Sequence, residues 1–268
     1  MKKIITVIIS VFLIFGLVGC GNSKEASKNQ DKKTIVVGAT PVPHAEILEK
    51  IKPILEKKGY KLEIKIFNDY VIPNTALNDG ELDANFFQHI PYLNKFNSEK
   101  GTKLDYTVKV HLEPMGLYSN KIKKIDQFKN NVSIAIPKDP TNGSRALRLL
   151  ENEGLIKLKK GELVTKFDII ENKLNLKIQE LDAPQLPRAL NDVDAAVINT
   201  NYALQANLNP TKDAIAIESK DSPYANILVV KKENKDKSYI KVLSEALNSK
   251  EIKEFIKEKY KGSIIPAF

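Results

Sequence analysis

Arginine is rare in this chain, and its positions are therefore informative. Only Arg145, Arg148 and Arg188 interrupt the lysines that make up the rest of its 42 positive residues. A planar, permanently charged fork is the side chain that reads a carboxylate at two points. Arg145 follows Asn142-Gly143-Ser144 at the head of an apolar helical pattern, with Ser144 available to cap a helix there. A guanidinium beside free helix-start N–H groups would suit an anion. The other chemistry-bearing residues exclude more than they suggest. His44, His89 and His111 show neither HxH nor HExxH spacing, and no GxSxG elbow is present. Gly38-Ala39-Thr40 lacks the pattern of a phosphate loop. Asp79, Glu81 and Asp83 cluster without a division into acid and base. Binding rather than turnover is expected, with no catalytic residue, cofactor or metal.

The N-terminus sets the compartment. Lys2 and Lys3 precede an apolar stretch from Ile4 to Gly19, whose 16 residues fall short of the roughly 20 that a spanning helix needs. Leu17-Val18-Gly19-Cys20 resembles a lipobox, and Cys20 is the only cysteine. That reading makes 1–19 a signal peptide and Cys20 a lipidated residue, with 20–33 a flexible tether from an extracytoplasmic domain to the cell membrane. A lone cysteine also rules out a disulfide framework. Removing residues 1–19 takes away two lysines and lowers the formal charge from +9 to about +7. The lysines are scattered among 33 acids, which describes solvated surfaces above an anionic membrane rather than a nucleic-acid site.

The elements that must position Arg145 alternate. Thr34-Ile35-Val36-Val37 is β-branched, Ile47, Ile51, Ile54 and Leu55 recur at helical spacing, and Lys61–Phe67 alternates as a strand. A second series begins at Val132, and 238–260 reads as one long amphipathic helix. Phe86 and Phe87 adjoin in a strand-like run, so one can face a core and the other a cleft. The pattern is βαβ, giving an α/β protein of two units with a ligand cleft where strand C-termini converge.

The run Leu82-Asp83-Ala84-Asn85-Phe86-Phe87-Gln88-His89-Ile90-Pro91-Tyr92-Leu93 resembles the signature of the NlpA family of methionine-binding lipoproteins, which feed ABC importers. Val36 to Pro41 with Pro43-His44, Asn68-Asp69-Tyr70 with Pro73-Asn74, Pro137 through Leu147, Asn199 to Ala203 and Pro223 to Asn226 follow in the family's order. The resemblance implies a two-lobed, periplasmic-binding-protein-like fold of type II, each lobe a mainly parallel sheet flanked by helices. It places lobe one at 34–117 with 227–268, lobe two at 118–226, and the hinge near 114–118 and 223–228. It also implies that Tyr70, Phe87, His89, Tyr92, Arg145, Asn199 and Asn226 enclose one amino acid. Arg145 would take the carboxylate in bidentate fashion, the two asparagines would offer oxygens to the ammonium and NH₂ groups to the carboxylate, and the aromatic rings would line a slot for sulfur. The ligand implied is L-methionine or a close analogue: D-methionine, the sulfoxide or a methionine-containing dipeptide. Implied partners are a permease and a cytoplasmic ATPase, with the chain itself a monomer. A surface adhesin is the competing role.

Overall fold

Two sheets arise from this alternation, and the chain passes between them twice. The computed structural model describes residues 32–268. The expected signal peptide, Cys20 and nearly all of the tether lie outside the described residues. From the N-terminal side come β1 (Thr34–Ala39), α1 (Glu46–Lys57), β2 (Lys61–Ile66), α2 (Ile72–Asp79), β3 (Ala84–His89), α3 (Ile90–Lys100) and β4 (Leu104–Leu112). The chain then crosses to β5 (Gly116–Tyr118), β6 (Ser133–Pro137), α4 (Pro140–Asn152), the hairpin β7 (Lys157–Leu158) and β8 (Ile169–Glu171), β9 (Lys177–Leu181), α5 (Leu186–Ala189), β10 (Ala195–Ile198), α6 (Thr200–Gln205), α7 (Pro210–Asp213) and β11 (Ala216–Ile217). It returns through β12 (Ala225–Lys231), α8 (Ser238–Leu247), α9 (Lys250–Tyr260) and β13 (Ile265–Pro266).

The sheets share one plan. The first runs β13-β4-β12-β3-β1-β2 and the second β11-β5-β10-β6-β9. In each, a first strand lies parallel between its two successors, β1 between β2 and β3, and β6 between β9 and β10. In each, the strand arriving from the other lobe is added antiparallel, β12 beside β3 and β5 beside β10. Both sheets are therefore mixed, with a parallel βαβ part extended by antiparallel strands. The crossings occupy 113–115 and 218–224, so Gly116 and Leu117 pair in the second sheet while Ala225 and Asn226 pair in the first.

Each lobe has its own core. Ile35, Val37, Ile47, Ile51, Phe86, Leu243 and Ile256 pack on one face of the first sheet. Leu117, Ile134, Ile136, Leu147, Leu150 and Val197 pack in the second. Two expectations about helices change. Residues 238–260 form two helices, because Ser249 accepts a hydrogen bond from the Ile252 N–H and starts α9 afresh. Helix α4 begins at Pro140, capped by Asp139 rather than by Ser144, whose hydroxyl instead accepts from the Val164 N–H. Proline at the first helical position needs no N–H partner, which draws the Lys138-Asp139-Pro140 turn into the helix.

Candidate functional site

Strand C-termini and helix starts meet between the two sheets around a small cavity. All seven residues expected at the site line it, and so do Gln88, Glu113, Asn142, Thr200 and Asn201. The first lobe delivers its share through β3, whose six residues are all buried. Phe86 pairs with Leu228 and Gln88 with Ile227, so the ladder to β12 skips Phe87. Such a bulge re-aims side chains; Phe86 enters the core while Phe87 lines the cavity. His89 ends the strand and caps α3, its Nδ1 accepting from the Tyr92 N–H at 3.2 Å. Tyr70 stacks on Phe87 with ring centroids 5.9 Å apart and meets Tyr92 at the same spacing. The three rings form the apolar wall.

The second lobe contributes polar groups already tied to one another. Asn142 is the hub: its Oδ1 accepts from Asn199 Nδ2 at 2.9 Å and from His89 Nε2 at 3.2 Å, while its Nδ2 donates to Asp139. Gly143 beside it leaves room for the main chain, since a Cβ there would lie 2.8 Å from the Pro137 carbonyl oxygen. Asn199 holds the N-cap position of α6, yet its side chain makes no capping bond. With its Nδ2 spent on Asn142, its Oδ1 is buried without a partner among the described residues. Asn201 is its complement. Its Oδ1 accepts from the Tyr70 hydroxyl and its Nδ2 is unpaired. Asn226 offers a donor too, because its Oδ1 is taken by His44 Nε2 at 3.0 Å. Of the two asparagines expected to offer both an oxygen and an NH₂ group, Asn199 thus has its oxygen unpaired among the described residues and Asn226 has its oxygen engaged by His44.

Arg145 is 4 % exposed and lies in the second turn of α4. Of the helix-start N–H groups expected beside it, those of Asn142 and Gly143 are taken by the Asp139 side chain and carbonyl. Its fork is also engaged within the protein: Nε donates to Glu218 Oε1 at 2.8 Å and Nη2 to Glu218 Oε2, while Nη2 also reaches the Glu113 carbonyl oxygen at 2.6 Å. A buried guanidinium without a counter-charge would cost several kcal/mol, which is the physical reason for the pairing. Burial opposes its charge, but Glu218 keeps Arg145 charged. Nη1 makes no hydrogen bond among the described residues. Tyr224 covers the other face, 4.5 Å from the guanidinium carbon.

Glu113 closes the polar end. Burial pushes its carboxyl up from the ordinary range, opposed by His44 and by the charge of Arg145. Burial pushes His89 down to about 3, with Arg145 adding to the effect, so it is neutral at pH 7. The cavity thus presents donors from Arg145, Asn201 and Asn226, acceptors from Glu113 and Asn199, and an aromatic wall. That set matches a zwitterion with an apolar tail. Glu113, Asn142 and Asn201 are the residues that reading the sequence missed. Glu113 carried a signal, being the only acid in the stretch from Tyr106 to Ser119 and standing at a strand end next to Pro114.

Known proteins agree with this architecture. The sequence profile of the NlpA lipoprotein family matches residues 35–268. The D-methionine-binding lipoprotein MetQ of Salmonella typhi is 46 % identical over 253 residues, 93 % of this chain and 92 % of that one. The methionine-binding lipoprotein MetQ of Bacillus subtilis is 44 % identical over 267 residues, 96 % of each. Among solved structures, a nutrient-binding protein from Burkholderia cenocepacia bound to methionine has a TM-score of 0.85 and 48 % identity, covering 87 % of this chain and all of that one. With the fold, the cavity and these likenesses in agreement, the chain belongs to the NlpA lipoprotein family of two-lobed substrate-binding proteins.

Proposed function

We propose that the protein is the membrane-tethered receptor of an ABC importer, capturing L-methionine between its two lobes and delivering it to a permease driven by a cytoplasmic ATPase. The observation that carries this reading is the sorting of unpaired polar atoms in one small cavity. The ligand carboxylate meets Arg145 Nη1 and the amide NH₂ groups of Asn201 and Asn226; its ammonium meets Glu113 and Asn199 Oδ1; its thioether lies among Tyr70, Phe87 and Tyr92. Sulfur against aromatic rings contributes about 0.3 to 1.5 kcal/mol per contact. Hinge motion about 113–115 and 218–224 opens the cleft, and ligand favours the form in which both lobes touch it. Residues 1–19 direct export, Cys20 carries the lipid, and the receptor works as a monomer.

D-methionine is a second reading, supported by the name of the Salmonella relative. The test is a thermal-melt series on residues 21–268, unfolded and refolded to strip ligand, against L-methionine, D-methionine, methionine sulfoxide, Gly-Met and the other amino acids. Ligand at a hundred times its dissociation constant stabilises by about 2.7 kcal/mol, which at this size moves the melt by about 5 to 10 °C. The largest shift names the ligand. No shift with any of them removes the receptor reading and favours an adhesin.

A further inference from the structure

Behind the polar end of the cavity stand two histidines that the sequence did not assign to the site. His111 Nε2 lies 2.7 Å from Glu113 Oε1, and His44 Nε2 lies 3.2 Å from the same oxygen and 3.0 Å from Asn226 Oδ1. All four residues are buried. We propose that His44 and His111 are positioning residues for the ammonium end of the site: as neutral Nε2–H donors they hold the Glu113 carboxylate ionised and fixed, and His44 also turns the Asn226 NH₂ group toward the cavity. This rests on the amino-acid reading above.

Hydrogen bonding assigns the protons. The Glu113 carboxylate and Asn226 Oδ1 are both acceptors, so His44 Nε2 must carry hydrogen, and its Nδ1 then accepts from the Thr40 hydroxyl at 2.7 Å. His111 Nε2 likewise donates to Glu113, and its Nδ1 has no partner among the described residues. An imidazolium there would bury an N–H with nothing to accept it. Burial accordingly lowers His44 to about 4 and His111 to about 3. Both rings are also held by packing. Each meets the Phe86 ring edge-on, at 4.7 and 5.3 Å, and they lie 5.0 Å apart. Arg145 fixes the residue from its other end through the Glu113 carbonyl, and the Asn201 N–H faces the carboxylate. Every group around Glu113 therefore favours its charge, against the burial that opposes it.

The same three side chains have the composition of a metal site. The shorter of the two spacings to Glu113 argues for protons instead, although the 3.2 Å from His44 would suit either. Tetrahedral zinc with bonds of about 2.0 to 2.1 Å separates its ligand atoms by about 3.3 Å, whereas 2.7 Å between His111 Nε2 and Glu113 Oε1 is an N–H···O length.

The test compares L-methionine with 4-(methylthio)butanoate, the same molecule without its ammonium, by calorimetric titration of the mature chain from pH 5 to 8. The wild type should prefer L-methionine by at least a hundredfold. His111→Leu should lose tenfold or more toward L-methionine while the analogue binds equally well or better, and its methionine affinity should begin to fall at a pH about one unit higher. His111→Gln, which keeps an N–H donor, should restore both. If His111→Leu does not fold, Glu113→Gln carries the same ratio test, because it abolishes the charge directly. Equal losses for both ligands, an unmoved pH profile, or wild-type binding blocked by equimolar zinc would overturn the proposal. If the wild type binds L-methionine but does not reject the analogue, the positioning role fails and the receptor reading survives; if it binds neither, both fail.

Discussion

The Tyr70 hydroxyl donates to Asn201 Oδ1 at 2.6 Å, joining the segment after β2 to α6 in the other lobe. Tyr202 returns the link by donating to the Asn68 carbonyl at 3.1 Å, and the Tyr70 and Tyr202 rings lie 5.1 Å apart. The lobes are thus held to each other directly as well as through whatever they enclose. Tyr70→Phe keeps the ring and removes the bond, leaving a buried acceptor unpaired. Methionine affinity should fall about tenfold, or about 1.4 kcal/mol, mostly through faster dissociation in stopped-flow traces. An unchanged off-rate would show that this contact does not hold the closed form.

Arg145 and Glu218 form a nearly buried ion pair. Glu218→Gln removes the counter-charge from a guanidinium that cannot escape to water, so stability should drop by about 3 kcal/mol and the melt by about 6 to 12 °C. A ligand carboxylate can then supply the missing counter-charge. Methionine should therefore raise the melting temperature of Glu218→Gln by more than that of the wild type. Equal shifts in the two proteins would mean that the ligand does not reach this arginine.

Arg145→Ala should weaken methionine binding beyond a hundredfold, since it deletes the only cation lining the cavity. Wild-type affinity in calorimetry would remove Arg145 from the site.

Gly143→Ala tests the geometry of the hub. Its Cβ would meet the Pro137 carbonyl oxygen at 2.8 Å, so the start of α4 must shift and carry Asn142 with it. A loss of about 1 to 3 kcal/mol is expected from overpacking, together with weaker binding. Unaltered affinity in a destabilised protein would show that the hub tolerates the shift.

Acid should unfold the protein through its buried histidines. His44, His89 and His111 are held neutral with values near 4, 3 and 3, whereas in the unfolded chain each takes up a proton below about 6.5. The unfolded state then binds more protons, so the contribution is complete above pH 6.5 and is lost as pH falls toward 4 and below, by up to about 1.4 kcal/mol per pH unit for each histidine. Glu113, raised by burial, acts in the opposite sense at the acid end. Urea titrations at pH 7 and 5 measure the slope, which should be shallower in His44→Gln.

Much of this was legible in one sequence, and the remainder had physical reasons for hiding. The βαβ order and the two-unit plan follow from hydrophobic periodicity, which is local. Phe86 and Phe87 were visible as a pair, but which of them faces the cavity depends on the bulge opposite β12, a partner far along the chain. Asn142 and Ser144 look like the approach to a helix; Asp139 and Pro140 place both inside its first turns. Glu113 and Glu218 lay in no motif. Each stands at a crossing between the sheets, and only the folded chain brings both to Arg145. The amide orientations at Asn199, Asn201 and Asn226 are set by neighbours up to 182 residues away, beyond the reach of any local pattern.

The cavity walls belong to both lobes, and its polar residues are buried; Glu113, Arg145, Asn199 and Asn226 are each 4 to 6 % exposed. If the proposed hinge opening is the way in and out, one ligand cannot push another out. In a chase with unlabelled methionine, the release of labelled ligand should then proceed at one rate whatever the concentration of competitor, whereas a rate that rises with competitor would show that the cleft admits a second molecule beside the first.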